Sequence, residues 1–274
     1  MLLIRTRVKM IVNKETIAEL AKENKRLDNR NLTEFRQPIL IETNISWTAE
    51  GSARVQIGET VVMAGVKLSI EKPYNDTSDE GGIMVNAELS PIASSEFETG
   101  PPGIKAVELA RVVDRGIREA KAIDLKKLCI EPGEKAWFVI VDIISINDGG
   151  NLLDVAGLAV LAALKTAKFP VVDPETGAID YKQKTDKSLP LTKEPLPITI
   201  YKMNGGALLV DPTNEEEKAY EARLTVGSDS KGTISALQKG GDMPLTIDEI
   251  GKMVDLALEK SGFLRKELTK ALKH

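Results

Sequence analysis

Arg111, Arg115 and Arg118 lie in the stretch ELARVVDRGIRE, and their type and spacing suggest anion binding. On an α-helix the three share one stripe, opposite Leu109, Val112, Val113, Gly116, Ile117 and Ala120. A guanidinium is a planar fork that can hold two phosphate oxygens at once. Arg111 and Arg115 are an i,i+4 like-charge pair, which costs a helix about 0.2–0.5 kcal/mol. A solvated face is the competing explanation, because Asp114–Arg118 and Arg115–Glu119 are opposite-charge i,i+4 pairs. Both readings stand on this segment alone.

Other reactive groupings are few. The only cysteine is Cys129, and the only histidine is His274, the last residue of the sequence. This leaves no disulfide framework, no thiolate cluster and no internal histidine to activate a serine or bind zinc. There is no Gly-x-x-x-x-Gly-Lys-[Ser/Thr] loop and no Gly-x-Gly-x-x-Gly between a strand and a helix. Asp148-Gly149-Gly150 precedes an apolar helical run, whose first N–H groups can hold a phosphate, although a tight turn explains two glycines as well. Glu215, Glu216 and Glu217 follow Asp211-Pro212-Thr213-Asn214 and read more simply as a capped, solvated turn than as metal ligands. No cofactor or metal is called for. The residues suggest a non-enzymatic role, or one that borrows a partner's groups.

The elements that must position these residues belong to an ordinary globular chain of 274 residues, 42% hydrophobic and 28% charged. A net charge of −4 will not draw the whole molecule to nucleic acid, so any RNA or DNA contact needs a local basic patch, or one shared with a partner. MLLIRTRVKMIV is too short to span a bilayer and lacks a cleavage site, which gives a cytoplasmic expectation and no membrane partner.

Residues 1–25 read as an N-terminal helical extension, with a helix from Asn13 to Asn24. In a first lobe, 26–168, ILIETNISWTA and SARVQIG flank a turn at Glu50-Gly51, and Gly58-Glu59 turns the chain into TVVMAGVKLSI. An acidic loop, PYNDTSDEGG, leads into the strand MVNAELSPI, and Gly100-Pro101-Pro102-Gly103 introduces the arginine helix. CIEPGEKAWFVIVDIISIN is a hairpin with a central second strand, and NLLDVAGLAVLAALKTA is a buried helix. Residues 169–196, rich in proline, read as an irregular connector. The second lobe, 197–274, repeats hairpins and a helix. That helix starts at a Thr246–Glu249 capping box and buries Ile250, Met253, Val254, Ala257 and Leu258. The class is α+β with two similar βα lobes.

RLDNRNLTEFRQ, a strand and then EGSARVQIGETVVMAGVK resemble the opening of the ribonuclease PH family. GIKAVELARVVDRGIREAKAIDL is similar to the family's E-x-x-R-x-x-R helix, and NDGGNLLDVAGLAVLAAL to its Asp-Gly-Gly turn and buried helix. The resemblance runs from Arg26 to Gly262. It implies the ribonuclease PH-like fold, which is ribosomal protein S5 domain 2-like. Within the family the chain is most similar to the non-catalytic ring subunit of the archaeal exosome.

The resemblance also implies which functions are missing. Active members carry a Glu-Ala-Asp-Met-Pro-like segment with a catalytic aspartate, and here Glu221-Ala222-Arg223-Leu224-Thr225 puts Arg223 at its place. Active members bind the attacking phosphate with Ser-Arg or Thr-Arg after the glycine turn, where this chain has Asn151-Leu152. No catalytic residue is therefore assigned. The implied partners are a homologous catalytic subunit, forming three heterodimers in a ring, RNA-binding cap subunits, and single-stranded RNA degraded from its 3′ end with phosphate. Arg111 and Arg115 are then the expected RNA-binding residues, whereas Arg118 has Asp114 as a helical partner. An active ribonuclease PH-like enzyme and a scaffold without RNA contacts are the alternatives.

Overall fold

The computed structural model describes residues 14–173 and 176–273. MLLIRTRVKMIV, Asn13, Pro174 and His274 lie outside the described residues. Helix α1 (Lys14–Lys22) buries Ile17, Ala18 and Ala21. It precedes the first sheet in sequence, yet it packs with Tyr201, Met203 and Leu209, from strands Leu196–Met203 and Leu208–Val210 of the second sheet.

The first sheet contains β1 (Ile39–Thr43), β2 (Gly51–Ile57), β3 (Thr60–Glu71), β4 (Gly82–Leu89), β5 (Cys129–Glu131) and β6 (Lys135–Asn147). Its order is β1-β2-β3-β6-β4, with β5 paired to β6. The apolar β6 is central as expected, bonded on one side to β3 and on the other to β4. The β4–β6 pair is parallel, which requires a crossover, and α2 (Ile104–Glu119) supplies it. One expected turn is displaced. β1 and β2 are joined by residues 44–50, not by Glu50-Gly51, and Gly51 already pairs with Val66 of β3. Glu50 is fully buried because its carboxylate accepts bonds from Leu68 N at 2.7 Å and Lys67 Nζ at 2.9 Å.

Helix α3 (Leu152–Thr166) is apolar around most of its circumference because a sheet lies on either side of it. It packs on β2 and β3, and on β9 (Leu196–Met203) of the second sheet. Gly157 lets Pro197 of β9 approach the helix, where a Cβ would collide with the proline ring. Val55, Leu68 and Val141 join Leu158, Leu161, Ile198 and Val226 in one continuous core. Burying each such leucine or isoleucine contributes about 1.5–3 kcal/mol.

Between the sheets in sequence, the described residues of 169–196 are more ordered than the prolines suggest. Lys168–Val172 (β7) and Ile179–Ser188 (β8) form an antiparallel hairpin, held to the first sheet where Lys67 Nζ sits 4.1 Å from the Tyr181 ring centroid. The second sheet has the order β10-β9-β11-β12, with β10 (Leu208–Val210), β11 (Tyr220–Ser228) and β12 (Ile234–Gly240). A single-turn helix α4 (Asn214–Glu217) connects β10 to β11. Helix α5 (Ile247–Ala271) has the expected capping box, with Glu249 N donating to Thr246 Oγ1 at 3.3 Å. Met253 and Ala257 are buried and Ser261, Leu264 and Leu268 continue the stripe, while Ile250, Val254 and Leu258 are half-buried. Among the described residues no helix is long and apolar enough to cross a membrane.

Candidate RNA interface and the neighbouring cavity

The apolar stripe of α2 packs on β4 and turns the arginine stripe outward. Arg111 is exposed and has no hydrogen-bond or ion-pair partner among the described residues. Arg115 is exposed too, and it donates to Gln238 Oε1 of β12 at 3.3 Å. The expected Arg115–Glu119 pair is not formed among the described residues, because Arg115 reaches toward β12 instead. Arg118 is engaged. Its Nη2 donates to Asp114 Oδ1 at 2.7 Å and to the Ile83 carbonyl at 3.0 Å, fastening α2 to β4. The bond to Asp114 raises the Arg118 pKa further.

Glu108 begins the same face and lines a cavity of about 460 Å³ between α2, β11, α4 and the start of α3. The cavity also contains Arg223, Asp148, Tyr201, Glu217 and Lys218. Arg223 comes from β11, and its Nη2 donates to Glu108 Oε1 at 2.6 Å. Lys218 and Lys105 both pair with Glu96. Arg223, Lys105 and Lys218 thus each have a carboxylate, while Lys14 also lines the space without an ion pair among the described residues.

The N-terminus of α3 is also occupied. Asn151 adopts φ 58, in the left-handed region, and its N–H donates to Glu217 Oε1 at 2.8 Å. Tyr201 OH donates to the same oxygen at 2.9 Å. Burial raises the Glu217 pKa, against the lowering effect of these two bonds. Burial also raises Tyr201, and the neighbouring Glu217 charge adds to it. Asp148 is raised by burial while its Oδ1 accepts the Gly150 N–H at 3.0 Å. A helix N-terminus favours an anion, and here the chain supplies its own. The 215–217 segment is capped by Thr213 as expected, but it is not a solvated turn: Glu216 is buried and Glu217 fills the anion position.

A buried charge network holds that segment in place. Arg26 Nε donates to Glu216 Oε1 at 2.9 Å, and its Nη1 to the Val210 carbonyl at 2.9 Å. Asp211 is fully buried and accepts from Arg36 N at 2.7 Å, Arg36 Nη2 at 2.7 Å and Asn151 Nδ2 at 3.0 Å. Arg36 Nη2 also donates to the Gly150 carbonyl at 2.9 Å, so one guanidinium orders both the glycine turn and the 211 corner. Asp154, buried inside α3, accepts from Thr199 N at 2.8 Å and Asn151 Nδ2 at 3.2 Å. Burial pushes its pKa up to about 8. Sequence reasoning missed Glu108, Glu217, Asp211 and Asp154 as members of the site. The one signal was Asp154 itself, a carboxylate in an otherwise apolar run.

The pattern of a 3′ exoribonuclease family matches the chain twice, its domain 1 over residues 34–170 and its domain 2 over 193–260. The chain is 46% identical over 254 residues to exosome complex component Rrp42 of Methanosarcina acetivorans, covering 93% of this chain and 92% of that protein. It is 41% identical over 263 residues to the Rrp42 of Thermococcus onnurineus, covering 95% and 96% of the two chains. A chain in the Archaeoglobus fulgidus exosome with RNA bound to the active site superposes with a TM-score of 0.83 at 40% identity, over 93% of this chain and 96% of that one. A chain of an archaeal exosome core gives 0.80 at 38% identity, over 93% and 96%. Two domain matches in the family's order, on a fold shared with these structures, place this chain in the 3′ exoribonuclease, or ribonuclease PH, family.

Proposed function

We infer that this chain is a non-catalytic core subunit of an archaeal-type exosome, inactive alone and working beside a homologous catalytic subunit. The observation that carries this reading is the self-neutralised cavity. Arg223 stands bonded to Glu108 where an acid is needed, and Glu217 sits on the helix terminus that would receive phosphate. Among the described residues, the position of the family's acid therefore holds a cation and the helix terminus holds a carboxylate of the chain itself. The finer arrangement follows from the resemblance: three heterodimers in a cytoplasmic ring with RNA-binding caps, this chain contributing lobes 26–168 and 197–274 joined by 169–196. Arg111 and Arg115 supply phosphate contacts to RNA held near the partner's site, which positions a strand without reading its bases. Their exposure, and the absence of a carboxylate on Arg111 among the described residues, support that role.

The test is trimming of labelled single-stranded RNA in phosphate buffer, with the purified chain, the catalytic homologue and the two together. Release of nucleoside diphosphates is expected only when the homologue is present. Light scattering of the co-expressed pair reads the ring, and a persistent one-to-one dimer at micromolar concentration would contradict three heterodimers. Phosphate-dependent trimming by this chain alone would return it to the enzymes.

A further inference from the structure

An arginine binds phosphate only if no carboxylate of its own helix takes it first. Residues three and four apart on a helix are neighbours, so Arg111 has two carboxylates within a turn, Glu108 before it and Asp114 after it. Both are held elsewhere. Asp114 receives both Nε and Nη2 of Arg118, at 3.1 and 2.7 Å. Glu108 receives Nη2 of Arg223 at 2.6 Å. Arg118 is in turn fixed by the Ile83 carbonyl. Arg223 comes from a different sheet, and its guanidinium lies across Gly240 of β12, where a Cβ would come within 2.7 Å of its Nε. Arg223 is 7% exposed, whereas the Glu108 side chain is 36% exposed and would be free to turn along the helix surface without that anchor.

We propose that Arg223 is a positioning residue: by holding Glu108 over Gly240, it keeps Arg111 unpaired and available to an RNA phosphate. Arg118 does the same for Asp114 on the other side. The arginine at the lost acid position therefore has a present role, which a neutral residue would not fill. The inference rests on Arg111 as an RNA contact, but its geometric half, the competition between Arg111 and Arg223 for Glu108, is separately measurable.

The experiment compares Arg223→Met, Glu108→Gln and the double variant in rings whose assembly has been confirmed. Arg223→Met is expected to weaken RNA binding severalfold and to lower the slope of log affinity against log salt by about 0.7, one phosphate contact to a single strand. Glu108→Gln is expected to raise affinity, by removing a carboxylate beside Arg111, and to restore binding when added to Arg223→Met. A purely structural pair gives equal losses for either single variant and no rescue, which would overturn the proposal, as would unchanged binding in Arg223→Met. If Arg223→Met does not assemble, Arg223→Gln keeps a polar head over Gly240 and replaces it.

An RNA-free arm separates the two readings. Unfolding of the full chain carrying Glu108→Gln, Arg111→Ala or both is expected to be additive with Arg223 present and non-additive with Arg223→Met. Additivity in both backgrounds overturns the proposal whatever RNA does. If Arg111→Ala leaves RNA affinity unchanged while the non-additivity appears, the RNA reading fails and the competition for Glu108 stands.

Discussion

The two faces of α2's first turns meet the same charges in opposite ways. Toward the cavity, Arg223 is matched by Glu108, Lys218 by Glu96, and the α3 N-terminus by Glu217. Toward solvent, Arg111 has no anion among the described residues and Arg115 has only a neutral amide. The lesson concerns binding more than charge count. A cation contributes to anion recognition only when the fold withholds internal anions from it, since an unpaired guanidinium has its full hydrogen-bonding capacity left for a ligand. The interior has the groups of an anion site and answers Arg223, Lys218 and the α3 terminus with carboxylates of its own, although Arg223 Nη1 is left without a partner. The exterior has fewer groups and leaves them open.

The comparison breaks most severely if the interior network is cut. Asp211 is fully buried and pairs with Arg36, whose guanidinium is left without its carboxylate if that charge is removed, while Arg30 keeps Asp28 at 2.6 Å. Asp211→Asn preserves a residue type that tolerates the φ of 50 found there. It is expected to cost about 3–5 kcal/mol, the usual penalty for orphaning a buried charge. Denaturant unfolding measures this, and a loss below about 1 kcal/mol would mean that water enters the network freely.

On the outer face the same kind of change should spare the fold. Arg111→Ala with Arg115→Ala is expected to alter stability by no more than about ±0.5 kcal/mol. In the assembled ring the salt slope of RNA binding should fall by about 1.4, from roughly 0.7 for each contact, with similar losses across RNA sequences. Unchanged affinity and slope would make this stripe a solvated face after all.

A smaller effect sharpens the contrast through pH. Asp154 has an ordinary value near 3.8 when unfolded and about 8 when buried, so the folded state holds its proton more tightly. Its contribution to stability is full below pH 4 and is lost as pH rises toward 8. Asp154→Asn keeps an oxygen for the Thr199 N–H and removes the ionisation, so its melting temperature should fall less between pH 5 and 8 than that of the parent chain. Parallel melting curves across that interval would show that Asp154 is already ionised, stabilised by its two N–H donors.

What the residues announced in advance divides along the same line. Local patterning exposed the outer face: one apolar stripe and one arginine stripe fix α2, and the mostly apolar run fixes α3 between two sheets. Turn chemistry placed Gly58-Glu59 and the Thr246 cap. The hairpin of β7 and β8 was hidden because IDYKQKTDKS has almost no apolar alternation and its partner strand contains Pro170. Glu50 was misplaced because a Glu-Gly pair has the composition of a turn, while its burial depends on bonds to Leu68 and Lys67. In the cavity, Arg223 stood out against the family's acid, but Glu217 did not. It meets Asn151 across 66 residues, and Arg26 meets Glu216 across 190, distances at which spacing in sequence carries no signal.

The smallest expected effect is none at all, from restoring the missing acid. Arg223→Asp would place a carboxylate beside Glu108, in a cavity already lined by Asp148 and Glu217. Like charges at close range disfavour ionisation, and together they repel an incoming phosphate. The helix terminus remains closed, because the Asn151 N–H still donates to Glu217 and Leu152 offers no cation beside it. The variant therefore regains one catalytic group without regaining the phosphate that must attack. Purified Arg223→Asp chain, incubated with labelled RNA in phosphate buffer, should release no nucleoside diphosphate above the parent chain. Release would mean that phosphate enters by a route other than the α3 terminus, and the occupied interior would then no longer explain the inactivity. Adding Glu217→Ala to Arg223→Asp tests the stopper in either case: activity appearing only in the double variant would show Glu217 to be the stopper, while equal activity in both would move the phosphate site elsewhere in the cavity.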